Sequence, residues 1–192
     1  PDPRLIMILC QQIERLRPQL DKLSPLVAAY RAADFAFPEM AIKWLEESEK
    51  LLASVHAPGS SEIATLKGGI VKADAEEKPS RSRVRSARNA AAMDALTRGE
   101  GILRAPLSEA EGRLKHFEEK LCEGMTALAL QVALPMPVSP RTAWLNSVWG
   151  LLNEQPPTRP LALYLATSLS MVDRLFILDN VLCRLLEPPP ET

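Results

Sequence analysis

Eight apolar residues mark one edge of the first thirty positions: Ile6, Leu9, Ile13, Leu16, Leu20, Leu23, Val27 and Tyr30. Their steps alternate between three and four, which places them in one stripe on a helix, the spacing by which one helix lies along another. Pro18 and Pro25 interrupt the stripe without shifting its register. The chain therefore begins as a bent or segmented amphipathic helix that must pack against other helices.

Further helices follow with proline as punctuation. Phe37-Pro38-Glu39 opens a helix carrying Trp44, Leu45, Leu51 and Leu52, and Pro58-Gly59 closes it. Ser60-Ser61-Glu62 starts a short one through Ile63, Leu66 and Ile70. Residues 72–82 have few apolar side chains and read as a flexible linker between an N-terminal helical part (1–71) and a C-terminal one (83–187). Beyond it, Val84 to Leu96 suggests a helix ending at Gly99. Ser108 and Glu111 form the capping box of a long helix that Pro135 and Pro137 stop. Ser139-Pro140 opens the next, bearing Trp144, Val148 and Trp149.

The last segment, from about Arg159 to Glu187, is apolar on most of its circumference and reads as one long helix at the centre of the fold. Asp173, Arg174, Asp179 and Arg184 interrupt it, a charge density that is costly in lipid, so no membrane association is expected. Each aspartate should pair with a neighbouring arginine or face a gap. Aromatics are 5% of the 192 residues, so Leu, Ala, Val, Ile and Met must build the core. These features predict an all-α domain, an irregular bundle of six to seven helices packed around a long apolar C-terminal helix.

Chemistry is harder to read. His56 falls at a helix end, where it complements the dipole, and His116 is flanked by solvent-type residues. Neither belongs to a metal-binding spacing, no phosphate-cradling loop or nucleophile elbow is present, and the sequence names no cofactor. Cys10, Cys122 and Cys183 are odd in number and far apart. They read as reduced thiols of an intracellular protein, cytoplasmic or nuclear. A start at Pro1, without Met, is expected of an excised piece.

The local anomaly is electrostatic. Between Lys78 and Arg104 seven positive residues face only Asp94 and Glu100, a local net of +5 in a chain whose total is −1. Arg81, Arg83, Arg85 and Arg88 lie at its centre, and arginine forks suit phosphates and acidic protein segments alike. A solvated loop explains the same composition. No aromatic is interleaved here, which weighs against base stacking. Arg83 stands three residues before Ser86, a candidate phosphorylation site whose modification would cut the positive charge. Trp144 and Trp149, five apart, are core residues or, where exposed, interface anchors.

The expectation is thus a non-catalytic protein–protein interaction or scaffold module, a subunit that binds another protein or itself through apolar helix faces. The alternative is a nucleic-acid-associated subunit that uses 81–88 for phosphate contacts.

Overall fold

The structure, a computed structural model, describes residues 8–73 and 81–186, with backbone alone at 73 and 81–84. The chain is all-α: eight helices and no strand lie among the described residues. They are α1 (Leu9–Asp21), α2 (Leu23–Arg31), α3 (Phe37–Ser54), α4 (Ser60–Ala73), α5 (Arg81–Ala129), α6 (Arg141–Glu154), α7 (Arg159–Ser168) and α8 (Met171–Leu186). Two compact units emerge, one of residues 12–109 and one of residues 1–11 with 110–192. Most of the segment expected as a linker, 74–80, lies outside the described residues, and the helices on either side of it, α4 and the first part of α5, fall in the same unit.

In the unit of residues 12–109 the N-terminal stripe turns inward. Leu16, Leu20 and Leu23 are buried, with Ile13 packed against them, in a core completed by Phe37, Trp44, Leu45, Leu52, Ile63, Ile70, Leu96 and Leu103. After α1 ends at Asp21 the phase slips by one. Leu26 takes the core position, Val27 is half-buried and Tyr30 is exposed. Pro18 does not end the helix; the restart falls at Leu23.

A buried polar knot joins α1 to α3. The Trp44 indole donates to the Gln19 carbonyl at 2.9 Å, one of the last carbonyls of α1 and so without a partner inside the helix. The Gln19 amide donates in return to the Trp44 carbonyl and to Ser48 Oγ, at 3.2 and 3.1 Å. Every bond in this set satisfies a group that would be costly to bury alone.

The breaks expected at Gly99 and Ser108 do not occur, and α5 runs through Gly99 and Pro106 for 49 residues. Packing outweighs both local signals. Gly99 is where α5 lies hard against α3: a Cβ there would meet Trp44 Cζ3 at 3.0 Å and Leu45 Cδ2 at 3.1 Å. Pro106 sits between the buried Leu103 and Leu107. Glycine is thus a packing requirement here, not a stop.

In the other unit α6 packs against α7 and α8. The buried side chains include Leu114, Leu121, Met125 and Leu128 of α5, Trp144, Val148 and Leu152 of α6, and Ile177, Leu178, Val181 and Leu182 of α8. The single C-terminal helix expected over 159–187 is instead α7 and α8, separated at Leu169-Ser170, where Leu169 is extended (φ −127°, ψ 149°). Ser170 and Asp173 explain the restart. Ser170 Oγ accepts the Asp173 N–H at 3.0 Å and donates to Asp173 Oδ2 at 2.8 Å, a reciprocal cap at the start of α8.

The same carboxylate caps a second helix. Asp173 is fully buried, and its oxygens accept the N–H groups of Leu9 (3.0 Å) and Cys10 (2.8 Å), the first residues of α1. The first turn of α1 contains no acidic residue of its own. An arginine partner for Asp173 was expected; backbone donors take that place. Asp179 does find an arginine, with Arg141 Nε at 2.6 Å.

This packing sets the expected outcome of three substitutions. Asp173→Ala removes the acceptor of three hydrogen bonds and leaves two helix donors in a buried setting, so urea unfolding should show a loss of about 3 kcal/mol. Gly101→Ala, where a Cβ meets nothing, should gain about 1 kcal/mol from helix propensity, while Gly99→Ala should lose about 1 to 2 kcal/mol to overpacking.

Candidate functional site

Two surfaces collect the residues singled out by the sequence, one in each unit. The first is the turn between α2 and α3 with the start of α5. The backbone at the end of α2 forms a Schellman motif: Ala33 N–H donates to Tyr30 O and Asp34 N–H to Ala29 O, both at 3.0 Å. The motif puts Ala33 in the left-handed region (φ 52°), a place usually left to glycine, at a cost of about 1 kcal/mol. His56 holds the equivalent place after α3, also at φ 52°, with His56 N–H on Ala53 O and Ala57 N–H on Leu52 O.

Asp34 Oδ1 accepts the Ala36 N–H at 2.9 Å and tightens the turn. Phe35 is then turned outward, 78% exposed, while Phe37 is fully buried with the Tyr30 ring 5.2 Å away.

The arginine segment leans on this turn. Arg85 donates from Nη2 to Ala33 O at 3.0 Å, and its guanidinium lies 5.3 Å from the centre of the Phe35 ring. Arg88 pairs with Glu39 at 3.0 Å. Arg85 and Arg88 therefore help to hold α5 on the α2–α3 turn. Arg81 and Arg83 belong to the first turn of α5, and their side chains lie outside the described residues. Ser86 is exposed. Sequence reasoning missed Phe35, because the aromatic partner of the arginines comes from fifty residues earlier in the chain.

The second surface is on α6, α7 and α8. Trp144 is core, 2% exposed, and its indole donates to Pro135 O at 2.8 Å. Trp149 is half-buried beneath Arg174, whose guanidinium lies 5.2 Å from the ring centre. Burial pushes the Arg174 guanidinium down from its ordinary value. Arg141 spans Asp179 and Cys183 Sγ (2.9 Å), and the hydrogen bond to Asp179 raises its guanidinium above the ordinary value. Arg184 pairs with Glu118.

One face of α8 carries a row that includes two of these partners and leaves its apolar members in water. Val172, Phe176, Asp179, Cys183 and Leu186 follow steps of four, three, four and three, and Val172, Phe176 and Leu186 are exposed. Met171 on the same helix and Leu163 and Tyr164 on α7 are exposed as well.

An open groove of about 630 Å³ also lies between α1 and α3, lined by Glu14, Arg15, Lys22, Glu47, Lys50 and Ser54 among others. Lys22 and Glu47 meet at 2.8 Å, and that bond holds the Glu47 carboxyl below its usual range. Arg15 donates to Ser54 Oγ at 3.3 Å. Opposite charges here hold one another.

Among the described residues no group of three or more His, Cys, Asp or Glu is placed to hold a metal ion. None of the three cysteines is in a disulfide. No helix of the described residues is long and apolar enough to cross a membrane. No protein-family model, curated protein or solved structure matches the chain.

The turn generates a further stability outcome. Ala33→Gly removes the left-handed strain and should raise the unfolding free energy by about 0.5 to 1 kcal/mol in urea titration.

Proposed function

We propose that this protein is a non-catalytic interaction module, a subunit that binds another protein through the apolar side chains its last two helices leave in water. One observation carries the reading. Rows with heptad-like spacing on α1 and α5 are buried, whereas a row of the same spacing on α8 is left partly in water. The row that runs from α1 into α2 supplies Leu16, Leu20 and Leu23 to the core, whereas Val172, Phe176 and Leu186 on α8 remain exposed. Burying such side chains stabilises an assembly by roughly 25 cal/mol for each Å² of apolar surface removed from water. One charged pair sits within the row, Arg141 with Asp179, and another beside it, Arg184 with Glu118.

Trp149, half-buried under Arg174 on α8, is the aromatic with the makings of an anchor at the edge of that surface; Trp144 serves the core. A reducing intracellular compartment suits three cysteines outside any disulfide.

The test places negative charge on the apolar row. A chain carrying Val172→Glu and Phe176→Glu should melt within a few degrees of wild type, because neither side chain is buried, Val172 being 48% and Phe176 39% exposed. Capture from nuclease-treated lysate, read by quantitative mass spectrometry, should yield a stoichiometric protein with wild type and lose it with the variant. Light scattering that shows a wild-type oligomer, dissolved by the same substitutions, would identify the partner as a second copy. A wild-type chain that is monomeric and captures nothing stoichiometric would refute the reading.

A further inference from the structure

The turn between α2 and α3 accepts a strained residue and fixes its own backbone to hold one aromatic ring in water. Ala33 is left-handed, Asp34 caps Ala36, and Arg85 reaches from α5 to the Ala33 carbonyl. Hydrophobic collapse does not explain the outcome, since Phe37, two residues on, takes the buried position and Phe35 stays 78% exposed. Arg85 stacks over the ring, and the exposure of Phe35 leaves the rest of that ring open to a second planar group.

The charges around the ring favour an anion. Arg31 is exposed at the end of α2, four residues before Phe35. Arg85 spends one bond on Ala33 O and keeps further donors in its fork. The nearby carboxylates are engaged, Asp34 by the Ala36 N–H and Glu39 by Arg88. A ligand that is both planar and anionic satisfies ring and guanidinium together.

We infer that Phe35 is a stacking platform for an unpaired base of a single-stranded nucleic acid, with the flanking phosphates held by Arg31 and Arg85. A base offers a π-face to the ring, and stacking of this kind tolerates any sequence. A duplex keeps its base faces stacked inside and offers only edges. An acidic peptide would use the guanidinium groups and gain nothing from a presented ring. The site uses no residue of the α8 row, so either it or the protein-binding reading can fail without the other.

Fluorescence anisotropy of labelled 15-nucleotide oligo(dT) and oligo(rU) against the full chain tests the assignment. Saturable binding is expected at 50 mM salt. Phe35→Ala should raise Kd by about 5- to 100-fold without changing the salt slope, and Phe35→Trp should retain affinity. Arg31→Ala should flatten the slope of log K against log salt by about 0.7, the loss of one phosphate contact. Absence of binding at 50 mM salt would overturn the inference. So would wild-type affinity in Phe35→Ala, equal affinity for a duplex of the same length, or displacement by poly-glutamate that does not depend on Phe35.

Discussion

One buried carboxylate organises two helix starts. Asp173 lies three residues after Ser170 in sequence and 163 and 164 positions from Cys10 and Leu9, yet it caps its own helix through Ser170 and α1 through the two backbone N–H groups. A carboxyl group with no exposure is tolerable only when hydrogen-bond partners surround it. Here the donors are three: the Ser170 hydroxyl and two amides at the positive end of a helix dipole. The arrangement solves two problems together, because the orphan amides of α1 need an acceptor as much as the buried carboxyl group needs donors.

That tie bears on how the heptad-like rows of α1 and α8 are used. With its first turn capped, α1 can commit its row to the core around Leu16 and Leu20, where the Trp44–Gln19–Ser48 knot satisfies the Gln19 carbonyl near its other end. The α8 row points out of its own unit. Asp173 and Ile177 lie on the buried side of α8, while Val172 and Phe176, one position earlier in each case, point outward. Rotating α8 to bury the exposed row would pull Asp173 away from the α1 amides. The exposed row is therefore consistent with a helix whose orientation is set by its polar cap, and the proposed partner is what would cover it.

Much of the fold was legible because helix periodicity and proline placement are local signals. The inward stripe of α1 came from spacing, and the starts of α3, α4 and α6 came from proline and capping residues. The continuity of α5 was not, since Gly99 and Pro106 look like stops until Trp44 and Leu45 are seen to need the room of a missing side chain. The division of the C-terminal segment was written in Ser170-x-x-Asp173, a cap hidden inside a run of apolar residues that reads as one helix. Candidate surfaces were legible only in part. The arginines were obvious from composition, whereas their aromatic neighbour Phe35 could be placed only once the chain had closed a span of fifty residues. Phe35 and Phe37 look alike in sequence, and the left-handed turn at Ala33 sends one out and the other in.

The division between inward and outward apolar residues is the claim from which both proposed surfaces descend, and side-chain oxidation by hydroxyl radicals reads it directly. The structure supplies matched pairs: Phe35 against Phe37, Trp149 against Trp144, and Met171 against Met125. In the purified chain the first of each pair, together with Phe176, should oxidise readily, while the second should remain near the background of the folded state. Protection of Met171 and Phe176 in the isolated chain, or rapid oxidation of Trp144 and Met125, would contradict the account.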